Sequence, residues 1–137
     1  MTKGQSENMA VVVLPAEGAS VAEGRHRVAE WMSGLGCSDG CVTDAVIAVS
    51  EAVTNAVCHA YDGRKAGEVR LSVAQSGTNA LISIEDDGRG PGPNLNRRGD
   101  GSCLGIELMA ELADRLTIER GKDSGTTVTL TFPCPQI

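Results

Sequence analysis

Val42–Tyr61 reads VTDAVIAVSEAVTNAVCHAY. Val42, Ala45, Val46, Val49, Val53, Ala56, Val57 and Ala60 fall on one stripe at about 100° per residue, the mark of a helix laid on a sheet. Away from that stripe stand Glu51, Asn55 and His59, at i, i+4 and i+8. By itself the spacing describes a solvated helix face as well as it describes one wall of a site. Ala48 and Ala52 share the polar face, where long charged side chains would be expected, so another element is expected to pack there.

On the N-terminal side, Met9–Pro15 (MAVVVLP) is a short apolar strand closed by proline. Ser20 and Glu23 form an S-x-x-E capping box, and Val21, Val28, Trp31, Met32 and Leu35 then recur at helical spacing until Gly34 and Gly36. On the C-terminal side the period drops to two. VRLSVAQ, a turn at Ser76–Asn79 and ALISIED make a hairpin that ends in Asp86 and Asp87. An irregular stretch follows from Gly88 to Gly105, with six glycines and two prolines. Loops of that length in a compact domain are usually functional or disordered. Ile106, Leu108, Met109, Leu112 and Ala113 support a third helix, and RLTIER, the turn GKDSG and TTVTLTF a second hairpin.

The order β, α, α, β, β, loop, α, β, β lacks strict βαβ alternation. It predicts an α+β two-layer sandwich with helices on one face of a mixed, mainly antiparallel sheet. Ser72, Ser83, Thr117, Thr127 and Thr129 should then face solvent or a partner. Residues 1–8 are polar and expected to be loose, and 9–137 to form one domain.

Composition narrows the function classes. With 137 residues, 41% of them hydrophobic and 22% charged, the chain carries enough apolar mass for one core. Trp31, Tyr61 and Phe132 are its only aromatics, so there is no platform for stacking bases. A net charge of −6 also disfavours direct grip on nucleic acid, leaving proteins or small ligands as expected partners. No stretch approaches the roughly 20 apolar residues of a membrane span, and MTKGQSEN lacks the apolar core of a signal peptide, so the chain reads as cytoplasmic. Five cysteines without a framework pattern suit free thiols in a reducing compartment. Cys37, Cys41 and His59 are conceivable metal ligands, but C-x3-C without a second pair favours buried thiols.

Three further features carry chemistry. Asp86-Asp87-Gly88-Arg89-Gly90 ends a strand with a carboxylate and then offers glycines that admit a ligand close to the backbone; a plain D-G turn is the alternative. Gly99-Asp100-Gly101-Ser102-Cys103-Leu104-Gly105 leads into a helix whose free N–H groups suit phosphate, or is a glycine linker. It is not a Walker A loop. Gly125-Thr126 opens the last strand with a hydroxyl that alone would be unremarkable.

In this order, E-x-x-x-N-A-x-x-H-A-Y, D-x-G-x-G, a glycine-rich lid and G-T resemble the nucleotide site of the GHKL ATPase superfamily. The short length and the H-A-Y ending are similar to the bacterial anti-sigma-factor serine kinases. The resemblance covers about residues 10 to 132 and implies a Bergerat-type ATP-binding fold. It implies Asn55 as ligand to the Mg²⁺ that bridges the ATP phosphates and Glu51 as general base toward a serine hydroxyl or water. Further implied are Asp86 for the adenine amine, Gly88 and Gly90 for close approach of the base, and Thr126 in support of Asp86. Gly101, Leu104 and Gly105 would form the phosphate lid, with His59 near the phosphate end. Arg97 and Arg98 lie in the same segment, reaching phosphate or keeping the loop soluble. Cys103 stands where the family usually has glycine, which implies a narrower phosphate cradle. The implied partners are a sigma factor and an anti-sigma-factor antagonist, with a homodimer as an allowed assembly. A non-catalytic or weakly hydrolysing ATP-binding module is the alternative, and Glu51 discriminates between the two.

Overall fold

Period-two alternation builds a five-stranded sheet. The computed structural model describes residues 7–60, 67–88, 105–120 and 125–134. Strands β1 (Glu7–Pro15), β2 (Glu68–Ser76), β3 (Asn79–Asp86), β4 (Arg115–Arg120) and β5 (Thr126–Pro133) lie in the order β1-β2-β3-β5-β4. Every pairing among the described residues is antiparallel. β1 starts at Glu7, ahead of the apolar run, because ladder pairing with Gln75 uses backbone groups and not side-chain polarity.

Register decides which side chains share a face. One row across the sheet aligns Val12, Leu71, Ile84, Val128 and Ile118, and another Ala10, Val73, Ile82, Leu130 and Leu116. Leu71, Ile82 and Leu130 are fully buried beneath the helices. The row between them, Val11, Ser72, Ser83, Thr129 and Thr117, points the other way. No helix among the described residues covers that face, and Val13 there is 49% exposed. Ser72 was expected to meet solvent or a partner, but its central position between β1 and β3 buries it.

Helix α1 (Ala19–Gly34) starts one residue before the expected capping box, with Gly18 as N-cap. The box does not form: the Ser20 hydroxyl donates to the Pro15 carbonyl, and Glu23 pairs instead with Arg27 at 2.8 Å. A chain doubling back from β1 presents that carbonyl, which competes for the hydroxyl. Helix α2 (Asp39–Asn55) is capped by Ser38, whose side chain accepts the Cys41 N–H. Ala45, Ala48, Val49, Ala52 and Val53 are all buried. Ala48 and Ala52 are inside because α1 and α3 (Gly105–Leu112) flank α2 while the sheet lies beneath it, so the buried arc exceeds one stripe. Asp39–Cys58 is in fact long and apolar enough to cross a membrane by length and composition, contrary to the expectation that no stretch approaches a span. Here its apolar arc is packed into the core.

The expectation of free thiols also needs correction. Cys37, just after α1, and Cys134, just after β5, form a disulfide with Cα atoms 5.0 Å apart across a sequence separation of 97. Nothing in local spacing discloses a pair that only the folded sheet brings together.

Phe132 is the largest fully buried side chain among the described residues. Phe132→Ala should cost about 3–5 kcal/mol in urea unfolding, whereas Val13→Thr on the open face should stay within about 0.5 kcal/mol.

Candidate functional site

Helix α2 runs antiparallel to β5, which brings its polar end to one end of the sheet. Near its start, Cys41 Sγ lies 3.3 Å from the Pro133 carbonyl at the end of β5. Near its finish, Val53 lies over the Leu71 row: a methyl on Gly24 would stand 3.6 Å from Val53 Cγ2 and 3.4 Å from Leu71 Cδ2. From Cys41 to Asn55 the helix rises about 21 Å, and from Pro133 back to Thr126 the strand spans about 23 Å. The two run out together. Asn55 therefore arrives at the end of the sheet where Val69, Asp86 and Thr126 share a row on the helix-covered face. The helix then changes to a π turn over Ala56–Ala60. Such turns often accompany functional sites, and this one ends the α-helical register between Asn55 and His59.

On the sheet side a compact turn holds Asp86. The Gly88 N–H donates to Asp86 Oδ1 at 3.0 Å, and the Gly125 N–H donates to the Gly88 carbonyl at 2.7 Å. Gly125 has φ +93°, and a Cβ on it would lie 2.7 Å from the Asp86 carbonyl oxygen. Only glycine meets both requirements. Its role was not assigned from the sequence, although the G-T pair was visible. Burial raises the Asp86 pKa above the ordinary carboxylate value; the Gly88 N–H pulls the other way, and the charges of Asp87 and Glu85 raise it further.

On the helix side, Glu51 lies against Gly105 at the start of α3. A Cβ on Gly105 would stand 2.5 Å from Glu51 Cβ and 2.9 Å from its Cγ. This glycine, assigned to the lid, is thus also what lets α3 approach the polar face of α2. It explains why small residues accompany Glu51 there.

Among the described residues, two buried side-chain atoms lack a hydrogen-bond partner: Asn55 Oδ1 and Thr126 Oγ1. Orphaned buried polar atoms are uncommon and call for an explanation. Both belong to residues singled out from the sequence, one on the helix and one on the strand beneath it. An amide oxygen is a hard donor suited to Mg²⁺, so the donor fits the cation that the motif implies.

Glu51, Asn55, Asp86, Gly88, Gly105 and Thr126 are therefore brought to one end of the α2–sheet sandwich. Gly90, Arg97, Arg98, Gly101, Cys103, Leu104 and the His59 side chain lie outside the described residues. Cys37 and Cys41 do meet, as the metal idea required, and among the described residues their third companion is Cys134. A groove of about 360 Å³ also opens at these strand ends. Val13, Arg70, Glu85 and Thr127 in its lining belong to the helix-free face, and Asp86, Gly125 and Thr126 in the same lining carry it round the strand ends to the site.

The sequence profile of the histidine kinase-like ATPase domain matches residues 14–132. The chain is 28% identical over 135 residues to an anti-sigma F factor of Clostridium botulinum, covering 89% of this chain and 92% of that one. It is 36% identical over 113 residues to the serine-protein kinase RsbW of Bacillus licheniformis, covering 72% and 69% respectively. In a solved Mycobacterium tuberculosis structure containing RsbU and RsbW domains, the match has TM-score 0.71 and 26% identity. It covers 92% of this chain but only 33% of that longer one. The histidine kinase domain of the Escherichia coli osmosensor EnvZ matches at TM-score 0.50 and 18% identity over 97% of this chain and 93% of that one, a likeness of fold alone.

Gly125→Ala should destabilise the protein by about 1–3 kcal/mol in urea unfolding, from backbone strain and the clash with Asp86. Asp86→Asn should do the opposite. A carboxyl whose folded pKa is raised withdraws stability as pH climbs from its unfolded value through the folded one. Thermal melts at neutral pH should therefore place Asp86→Asn at or above wild type, and the difference should vanish in acid, below both values.

Proposed function

Because the chain belongs to the histidine kinase-like ATPase family, we propose that it is an ATP-dependent serine protein kinase of the anti-sigma type, acting in the cytoplasm. It would hold a sigma factor and phosphorylate an antagonist protein, switching between the two. The names of its relatives support this reading. The observation that carries it is the pair of orphaned buried atoms, Asn55 Oδ1 and Thr126 Oγ1, on facing elements at one end of the sandwich.

In this proposal Asp86 keeps Oδ1 on the Gly88 N–H and uses Oδ2 to accept the exocyclic amine of adenine. The Thr126 hydroxyl, paired in register with Asp86, completes the base-recognising end directly or through water. Rejecting guanine then follows from chemistry, since a carbonyl in place of that amine would face a carboxylate without a proton to share. Asn55 supplies the amide oxygen for Mg²⁺, which when bound would neutralise charge on the ATP phosphates. Glu51, one turn earlier on α2, takes the proton from the serine hydroxyl as the γ-phosphoryl moves to its oxygen and ADP departs. Gly105 keeps the Glu51 carboxylate from swinging freely by closing one side of it. The motif alone carries His59, Gly90, Gly101 and Leu104 into the proposed set.

Asn55→Ala should abolish the heat of Mg-ATP binding in titration calorimetry, and Asp86→Asn should do so while the protein stays folded. Absence of heat with the wild-type chain would remove the nucleotide reading. Glu51→Ala should retain ATP affinity but lower phosphoryl transfer to a cognate antagonist by about 10²–10⁴-fold. ATP binding without transfer in wild type would instead identify a regulatory ATP-binding module.

A further inference from the structure

Cys37, Cys41 and Cys134 gather at the end of the molecule opposite the nucleotide site. Their sulfurs all lie within 4.8 Å of one another. Cys37 and Cys134 are bonded, and Cys41 Sγ lies 3.8 Å from Cys134 Sγ. The three differ in access: Cys134 is 0% exposed and Cys37 9%, whereas Cys41 is only partly buried. A solvent thiol therefore meets the sulfur of Cys41 before either sulfur of the disulfide. From these observations we infer that the cluster is a thiol–disulfide exchange site, with Cys41 as its port for small-molecule thiols.

The chemistry balances internally. The Cys41 sulfur, as thiolate, attacks Cys134 Sγ; a Cys41–Cys134 bond forms, the Cys37–Cys134 bond breaks, and Cys37 leaves with the electron pair and takes up the proton that Cys41 gave up. No oxidant or reductant is consumed. A low-molecular-weight monothiol can then attack Cys41 Sγ. This forms a mixed disulfide at Cys41 and releases Cys134, which takes the proton of the incoming thiol. At rest Cys41 donates its S–H to the Pro133 carbonyl, while burial and the nearby Asp44 keep its pKa raised, so the thiol is parked and the buried bond persists. The position gives the exchange a mechanical meaning. Cys37 follows α1, Cys41 lies in the first turn of α2 and Cys134 follows β5, so moving the bond changes which helix is tied to the sheet.

The test uses the full chain with Cys58→Ser and Cys103→Ser, leaving only the three clustered cysteines. After incubation with glutathione, quenching by an alkylating agent and peptide mapping should yield a Cys41–Cys134 linkage, alkylated Cys37 and glutathione on Cys41. Adding Cys41→Ser should abolish the Cys41–Cys134 linkage and the glutathione adduct at residue 41, and slow reduction of the Cys37–Cys134 bond. Adding Cys37→Ser instead should give, under mild oxidant, a protein lighter by two hydrogens with Cys41 joined to Cys134. A map with only the Cys37–Cys134 linkage and no glutathione on Cys41 would overturn the inference, and so would equal reduction rates with and without Cys41. Since the map of the Cys58→Ser, Cys103→Ser parent needs no substitution in the cluster, misfolding of either further variant leaves the test decisive.

Discussion

Everything in this fold depends on how closely α2 is held between the sheet and its two neighbouring helices. Close approach is possible because the helix presents alanine on several sides: Ala45, Ala48 and Ala52 are buried where larger residues would hold neighbours away. Glycines complete the fit, with Gly24 of α1 facing Val53 and Leu71, and Gly105 of α3 facing Glu51. Alanine also contributes helix propensity without losing side-chain entropy, so the closest contacts cost little to order. The apolar work passes to the sheet, where Leu71, Ile82, Ile84, Leu130 and Phe132 supply the burial.

That packing sets the two ends of α2 apart chemically. At one end the helix is fastened, by the Ser38 cap and by the cysteines that meet near Pro133. At the other it leaves polar atoms unsatisfied, ends its α-helical hydrogen bonding in a π turn and lies over a carboxylate that burial disfavours. Unpaired buried groups lower stability unless something compensates, so the polar end is where the fold gives up stability. A ligand that offers an amine to Asp86 and a hard cation to Asn55 would return some of it by mass action. Such a local loss of stability is expected at a functional site.

The helices and the two hairpins were legible because their signals repeat along the chain. Asp86, Asn55 and Thr126 were legible as a set because the motifs occur in a fixed order. Features that hinge on a competing partner were not. Ser20 had the spacing of a cap, yet the Pro15 carbonyl took its hydroxyl. Ser72 alternated like a surface residue, yet its strand is flanked on both sides. The glycine at 125 looked like part of a turn, and its clash with Asp86 became visible only once β3 and β5 were paired.

The α+β class, the element order, the polar triplet of α2 and the family resemblance could all be read from residue order. Each of these is a property of residues a few positions apart, or of motifs in order, and both survive without knowledge of the folded chain. That Cys37 joins Cys134, that Ala48 and Ala52 are interior, and that Gly105 bears on Glu51 emerge only in the folded chain. The difference is one of range. These contacts join segments tens of residues apart, and which distant groups meet is set by sheet register and helix packing, not by spacing along the chain.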